Sequence, residues 1–247
     1  MSLNLAQYEL LTVQAVKHFW NSRHSSKDRQ VQTGKIDQGS RGAVTSGANM
    51  NGFVDLVHKL ATANGMPDAS IIRNGHLMTL PGYFRPTKRW DLLLIHKGVL
   101  VAAVELKSQV GSLGNNFNNR AEEAIGTSHD FWVAYREGAF GESPKPFVGW
   151  LMLLEDCPKS RAPVNDRSPH FPLFKEFKGA SYADRYDILC KKLVREQLYS
   201  SACLMLSSIS GREDGAWTCL SEMTHLKSFV TELAAHIANV STRQSME

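Results

Sequence analysis

Two short apolar runs near the middle of the chain form its clearest pattern of hydrophobic and polar positions. Residues 90–95 and 99–104 are rich in Val, Leu and Ile, and only His96-Lys97-Gly98 separates them. Short aliphatic runs on either side of a glycine-containing turn are typical of a β-hairpin. The sequence therefore predicts two antiparallel strands at the centre of the fold.

The apolar positions on either side of this hairpin predict further helices and strands. Spacing near the helical period predicts helices, which we place at residues 3–20, 51–63, about 115–135, 182–198 and 221–240. Short apolar runs predict additional strands at residues 71–72, 77–80, 147–154 and 202–209. Asn49 is the expected N-cap of the second helix. The third helix is expected to bury Phe117, Ala121, Ala124, Ile125, Phe131 and Trp132.

This order of elements indicates an α/β fold with a mixed β-sheet flanked by helices. The 247 residues suit one large domain, or one domain with an extension. Residues 21–49 are polar with only scattered aliphatic side chains, so they predict a long loop or a segment that is disordered until it binds a partner.

Composition narrows the class of protein only moderately. The net charge of +4 permits an anionic partner without demanding one. The four cysteines include no C-x-x-C pair, which favours reduced thiols over a zinc site or a disulfide scaffold. The longest uninterrupted apolar stretch, residues 99–104, and the shorter one at residues 150–154 are both too short to span a bilayer, and residues 1–20 lack the pattern of a signal peptide. We expect a cytoplasmic protein.

Charged residues occur at the ends of the two hairpin runs, where buried strands would not normally carry them. Asp91 opens the first run, and Glu105 and Lys107 close the second. Because side chains alternate along a strand, Glu105 and Lys107 should project from one face, and pairing across the turn can bring Asp91 to the same end. Two carboxylates could hold a magnesium ion, and the lysine could orient or activate the attacking water in phosphodiester hydrolysis.

The E-x-K triplet by itself is weak evidence for such a site. A chain of this length should contain roughly one such triplet by accident. A second copy, Glu176-Phe177-Lys178, lies in a charged and aromatic segment without a preceding apolar run, so we interpret it as a solvated helix or loop. The plain alternative for the first copy is a hairpin whose charged ends simply reach solvent.

The wider sequence around the hairpin resembles a known nuclease family. Asp91, a gap of thirteen residues and then Glu105-Leu106-Lys107 are similar to the PD-(D/E)xK nuclease superfamily, although Trp90 stands where that motif has proline. Residues 40–53, 80–91, 101–111 and 117–132 resemble the XhoI family of type II restriction endonucleases, and the likeness covers essentially the whole chain.

This resemblance implies a restriction-endonuclease-like (PD-(D/E)xK) core with an N-terminal helix and C-terminal additions. The expected arrangement is a single domain over residues 1–247, with a catalytic core at about residues 50–156. The resemblance also implies Mg²⁺-dependent cutting of the palindrome CTCGAG after the first C, and a companion DNA methyltransferase. A palindrome cut on both strands calls for a two-fold protein, so we predict a homodimer.

Several polar residues are candidates for DNA contacts. Lys35 and Arg41 lie in the polar segment, whereas Lys88 and Arg89 lead up to Asp91 beside aromatic residues. A third group, Asn116, Asn119 and Arg120, belongs to a dense run of hydrogen-bond donors. For Lys35 and Arg41 the alternative is a flexible connecting segment. For Lys88 and Arg89 it is a cation that stacks on an aromatic ring at the edge of the core, and for the third group it is helix capping.

Three further carboxylates could assist the metal, namely Asp55, Glu122 and Glu123. Exposure on a helix is the expected state of Asp55, and surface ion pairing is expected for at least one of the two glutamates. The irregular segment 157–180 is either a DNA-recognition insertion or an exposed loop.

Two other functions remain open on sequence grounds. A repair or recombination nuclease of the same fold would act without sequence specificity, and a non-catalytic relative would only bind DNA. His129-Asp130 lacks the surrounding spacing of a histidine nuclease, and the chain contains neither a nucleophile elbow nor a phosphate-binding P-loop motif.

Overall fold

The computed structural model describes residues 3–32, 47–72 and 75–246. A five-stranded mixed sheet forms its centre. Its strands are, in their order across the sheet, β1 (Ser70–Ile72), β4 (Leu92–His96), β5 (Val99–Gln109), β6 (Phe147–Glu155) and β7 (Ser201–Ser207). Strands β1, β4 and β5 run antiparallel, whereas β5, β6 and β7 run parallel.

A separate small hairpin precedes the central strands. It consists of β2 (Thr79–Pro81) and β3 (Thr87–Arg89), which pair antiparallel over three residue pairs. Hairpin β2–β3 then leads directly into Trp90 and β4, and the Trp90 N–H donates to the Met78 carbonyl.

Five longer helices and several single turns accompany the strands in the described ranges. The longer helices are α1 (Tyr8–Gln32), α2 (Asn51–Ala63), α3 (Leu113–Arg136), α4 (Tyr182–Arg195) and α5 (Leu226–Gln244). The shorter turns span Gly47–Met50, Gly75–Met78, Pro158–Arg161, Lys175–Phe177 and Gly211–Asp214.

Helices cover both faces of the sheet and form two apolar cores. Helices α1, α2 and α5 pack on one face, and α3 and α4 pack on the other. Along β5, Ala102, Val104 and Leu106 enter the first core, while Ala103 enters the second. Burial on both faces explains why the central strands have nearly continuous apolar sequences. The predicted α/β class with a mixed sheet is confirmed.

Several predicted elements differ from the observed ones at the N-terminal end. Residues 21–32 were expected to be a loop but continue α1, because this stretch has no Gly or Pro to end the helix. The first helix also begins at Tyr8 and not near Leu3. Asn49 is not the N-cap of α2: Met50 holds that position with φ −95° and ψ 6°, outside the extended region where side-chain caps form.

Further differences involve loops held by specific contacts. The last helix begins at Leu226 and not at Ser221, because the Ser221 and Thr224 hydroxyls hydrogen-bond to the buried Asp187 carboxylate and hold that stretch as a loop. Ile125 was expected in the core but is about half exposed, since its neighbour Ala124 occupies the buried face of α3.

The described helices and the four cysteines can each be compared with a sequence-based expectation. No helix in the described residues is both long and apolar enough to cross a membrane. All four cysteines are free thiols, as their spacing predicted.

Candidate active site

Asp91, Glu105 and Lys107 meet at one end of the central hairpin. Asp91 immediately precedes β4, and Glu105 and Lys107 project from the same face of β5, toward α3. The Lys107 Nζ atom lies 2.8 Å from Asp91 Oδ2 and also contacts Glu105 Oε2. The backbone N–H of Leu106 donates to the same Asp91 oxygen at 3.0 Å. Strand alternation and antiparallel pairing thus place the three side chains together, as the sequence predicted.

Glu105 is the most deeply buried member of this cluster, since only 2% of its side chain is exposed. A second lysine, Lys88 on β3, donates to Glu105 Oε1 at 2.7 Å. Glu105 Oε2 touches the Lys107 ammonium but makes no hydrogen bond of normal geometry. Two cations therefore compensate one buried carboxylate, and one of its oxygens retains capacity to bind another partner.

The electrostatic environment separates the pKa values of the two carboxyls. Burial raises the pKa of Glu105, and the ammonium groups of Lys107 and Lys88 offset this only in part. Burial would also raise the pKa of Asp91, but the charge and hydrogen bond of Lys107 lower it below its usual value. Burial opposes the charge on Lys107, yet Glu105, Asp91 and Glu123 together raise its pKa. Lys107 is consequently held as an ammonium ion.

Helix α3 contributes a third carboxylate, Glu123, whose Oε1 lies 3.5 Å from the Lys107 Nζ atom. The other Glu123 oxygen accepts a hydrogen bond from Arg120 at 2.6 Å. Burial would raise the pKa of Glu123, but Lys107 and Arg120 lower it. Of the two adjacent glutamates, which are both at least partly exposed, Glu123 is the one placed beside the cluster. The sequence alone could not choose between them, because that choice depends on the rotation of α3 over the sheet.

The donor set of the cluster fits a small hard cation. Carboxylate oxygens are the preferred protein ligands of Mg²⁺, which typically binds one or two of them and keeps several waters. Asp91 and Glu105 supply two carboxylates, and Glu105 Oε2 is a buried oxygen that lacks a regular hydrogen bond. In the described parts of the chain, no three His, Cys, Asp or Glu side chains form a ready cage for a metal. The cluster therefore suits a cation that is completed by water and substrate.

The remaining predicted site residues are distributed as follows. Arg89 and Asn119 are exposed, and the Asn116 side chain donates to the Ser112 carbonyl at 2.9 Å, at the start of α3. Asp55 is exposed on α2, as expected. Lys35 and Arg41 lie outside the described residues.

Two of the predicted DNA-binding residues are located close to the cluster. Lys88 contacts Glu105 and lies over the Trp90 ring, with its Nζ atom 5.5 Å from the ring centre. Arg120 pairs with Glu123. The Arg120–Glu123 pair is the surface ion pair that was expected for one of the two glutamates. The Lys88 contact was not predicted, because it depends on how β3 packs against β5. Local sequence carried no signal for that packing.

The charged residues of the second E-x-K triplet lie on the surface. Glu176 and Phe177 belong to a single turn, Lys175–Phe177, and Glu176 forms a surface ion pair with Lys192 at 2.8 Å. Lys178, which follows the turn, is exposed. The interpretation of this copy as a solvated segment is confirmed.

Comparison with known proteins gives a consistent family assignment. The family described as "Restriction endonuclease XhoI" matches residues 29–219. Type II restriction enzyme XhoI of Xanthomonas vasicola is 52% identical over 196 residues, which cover 78% of each chain. Type II restriction enzyme AbrI of Azospirillum brasilense is 57% identical over 172 residues, covering 69% of this chain and 77% of the relative.

A third relative extends the match further along the chain. Type II restriction enzyme BstVI of Geobacillus stearothermophilus is 45% identical over 208 residues, or 82% of this chain and 92% of the relative. No solved structure matches the chain. The extent and level of these similarities show that the chain belongs to the XhoI family of type II restriction endonucleases.

Proposed function

We propose that this type II restriction endonuclease hydrolyses double-stranded DNA in a Mg²⁺-dependent reaction at the palindrome CTCGAG. The cut falls after the first C and leaves 5′ overhangs. Membership of the XhoI family supports the choice of site. The chemistry rests on one observation: two carboxylates and a lysine ammonium meet at the end of the β4–β5 hairpin.

Asp91 and Glu105 are the proposed ligands of Mg²⁺ in this reaction. When bound, the cation would stabilise charge on the scissile phosphate and lower the pKa of an attacking water. Burial favours this role for Glu105, because a carboxylate in a low-dielectric environment attracts a cation more strongly than one in water. The Leu106 N–H holds Asp91 in a fixed orientation beside it.

Lys107 is the proposed residue that orients the water and stabilises developing negative charge. Its ammonium reaches both Asp91 and Glu105 and therefore lies where their carboxylates converge. An ammonium donates hydrogen bonds and accepts none, so a water or phosphate oxygen beside it would be held by donation from Nζ. Glu123 restricts the position of this ammonium from the side of α3.

The proposed partners follow from the symmetry of the site and from the class of enzyme. A palindrome that is cut on both strands presents two equivalent scissile bonds, which a homodimer with two-fold symmetry would engage with one active site each. The chain would act together with a companion DNA methyltransferase that protects the same sequence in the host.

Digestion of a plasmid of known sequence, followed by mapping of the ends, tests the proposed reaction. The expected result is a fixed set of fragments whose ends fall after the first C of CTCGAG, with no cutting in EDTA. Ends scattered over many sequences would instead indicate a nuclease without sequence specificity. Products that are the same with and without magnesium would contradict the proposed metal requirement.

Substitutions at the two E-x-K triplets provide a matched test of the proposed residues. We expect Glu105→Gln and Lys107→Met each to lower the cleavage rate by about 100-fold or more. The same changes in the exposed copy, Glu176→Gln and Lys178→Met, should leave the rate unchanged. DNA binding measured with calcium in place of magnesium should remain detectable in all four variants. Wild-type cleavage by either variant of the first pair would refute the assignment.

A further inference from the structure

The loop at the tip of the β2–β3 hairpin, residues 82–86, is held by a buried carboxylate from α3. Asp130 Oδ1 accepts hydrogen bonds from the backbone N–H groups of Tyr83 at 2.9 Å and Phe84 at 2.8 Å. Asp130 Oδ2 accepts from Arg85 Nε at 2.8 Å. Only 6% of the Asp130 side chain is exposed. Three charge-assisted hydrogen bonds fix the conformation of the loop.

The close approach of this loop to α3 also explains why residue 82 is a glycine. A Cβ atom at Gly82 would lie 2.7 Å from both the Arg85 carbonyl oxygen and Asp130 Oδ2. These distances are shorter than any normal van der Waals contact, so no larger residue fits without a shift of the loop. The tip is therefore a constrained structure.

This constrained loop exposes two aromatic rings. Tyr83 is 54% exposed and Phe84 66% exposed, and their ring centres lie 4.9 Å apart, nearly perpendicular. Phe84 also stacks on the exposed ring of His129 at 5.6 Å. Exposed aromatic side chains on a rigid support provide a large contact area at low cost in conformational entropy.

The β2–β3 hairpin and α3 each connect this tip to the proposed catalytic cluster over a short distance. Phe84 precedes Lys88 by four residues on the hairpin, which corresponds to roughly 13 Å or less. Asp130 follows Glu123 by seven residues on α3, which corresponds to about 10 Å. Successive nucleotides of a DNA strand are about 3.4 Å apart along the helix axis. The rings can therefore reach base pairs about three to four steps from a phosphate held at the cluster.

We propose that Tyr83 and Phe84 contact bases of the substrate duplex about three to four base-pair steps from the scissile phosphate. This inference rests on the proposed function, because it takes the cluster as the place where DNA is cut. The exposed Arg89 of the same hairpin favours a polyanion as the occupant, whereas the charge of Arg85 is already compensated by Asp130. A second copy of the chain would bring Arg89 toward its own counterpart across a two-fold axis, which like charges oppose.

Alanine substitutions of the two rings test this contact by binding. The probe is a duplex oligonucleotide that contains the cleavage site mapped with the wild-type protein, titrated with calcium in place of magnesium. We expect Tyr83→Ala and Phe84→Ala each to weaken binding by roughly 5- to 100-fold, the range for loss of the specific contacts to one base pair of a duplex. Tyr83→Phe and Phe84→Tyr, which keep the rings, should bind within about threefold of wild type.

Leu10→Ala serves as the matched control. Leu10 is exposed to the same extent as Tyr83, but it lies on α1, which packs on the other face of the sheet from α3. We expect its DNA affinity and its melting temperature to match those of the wild-type protein. The two ring variants should also melt like wild type, because their side chains are exposed.

The salt dependence of binding separates ring contacts from charge contacts. Neither ring variant removes a charge, so the slope of log affinity against log salt concentration should stay unchanged. Arg89→Ala should reduce that slope by about one unit if Arg89 contacts a phosphate. A reduced slope in the ring variants would show that the whole hairpin had moved, and would overturn a direct ring contact.

Three outcomes distinguish this inference from the proposed function. If the wild-type protein cuts DNA and both alanine variants bind DNA with wild-type affinity, the ring contact alone is overturned. The alanine variants could instead bind DNA weakly because their dimer is weakened. If sedimentation shows that the dimer re-forms at higher protein concentration and DNA binding then recovers, the rings contact a second copy of the chain, which also overturns the contact with DNA bases. A wild-type protein that cuts no DNA overturns the proposed function and this inference together.

Discussion

Replacement of Asp130 by asparagine should weaken the contacts that hold the tip of the β2–β3 hairpin and so lower the free energy of unfolding. The carboxamide keeps one oxygen for the N–H groups of Tyr83 and Phe84 but turns its NH₂ group toward Arg85 Nε. Loss of charge weakens each backbone hydrogen bond by about 1 kcal/mol. The ion pair adds less than about 1 kcal/mol, because the Arg85 side chain is 40% exposed.

The sum is a destabilisation of about 2–3 kcal/mol at neutral pH, or a melting temperature lower by about 4–12 °C for a chain of this size. The effect should fade in acid. Burial would raise the pKa of Asp130, but the hydrogen bonds of Phe84, Arg85 and Tyr83 lower it. A carboxyl with a lowered pKa in the folded state stabilises the protein above its unfolded pKa of about 3.9, and this contribution is lost as the pH falls through the folded value.

Urea unfolding of wild type and Asp130→Asn at pH 7, and then at steps below pH 4, measures both effects. The difference in free energy of unfolding should be constant above about pH 5 and should shrink below pH 4. Asp156→Asn is the control, because Asp156 also pairs with an arginine, Arg161, but on the surface. Equal stability of wild type and Asp130→Asn at pH 7 would refute the anchoring role. A difference that persists undiminished below the folded pKa would show that it does not come from the charge of this carboxylate.

Three further substitutions test individual contacts of the site. Glu123→Gln removes a half-buried charge beside the Lys107 ammonium, so we expect single-turnover cleavage to slow by about 3- to 10-fold with DNA affinity unchanged. Lys88→Met leaves Glu105 with one cation fewer and should destabilise the metal-free protein by about 1–3 kcal/mol, with part of this loss recovered in thermal unfolding when magnesium is added. Gly82→Ala should destabilise by about 1–3 kcal/mol and weaken binding of the duplex oligonucleotide, because its Cβ would overlap the anchoring carboxylate.

The sequence was sufficient to predict the central hairpin and its three charged side chains. Strand alternation is a local property, so Glu105 and Lys107 had to share a face, and a short turn had to bring Asp91 beside them. The alternative that these charges simply reach solvent does not hold for Glu105, which is almost fully buried. Its burial also shows why the apolar run before the triplet was informative, whereas the exposed Glu176 lacks such a run.

The other members of the site depend on packing that local sequence does not specify. Lys88 reaches Glu105 only because the short β2–β3 hairpin folds back on the larger sheet. Glu123 was one of two adjacent glutamates, and the rotation of α3 selects it. Asp130 belonged to a His-Asp pair that fits no histidine nuclease, and its role as an anchor depends on contacts 45–47 residues away. Such pairings are products of the tertiary fold.

Helix α3 connects the cluster and the tip of the hairpin through a single rigid element. Glu123 and Asp130 are seven residues apart, so they lie within about 20° of one another around the helix and about 10 Å apart along it. One contacts Lys107, and the other holds the loop of Tyr83 and Phe84. The β2–β3 hairpin pairs over only three residues and is too short to hold this separation alone. Because α3 carries both contacts, it fixes the distance between the Lys107 cluster and the loop of Tyr83 and Phe84. If the cluster cuts DNA and the rings contact bases, as proposed above, the length of two helical turns sets the distance between the cut and those bases.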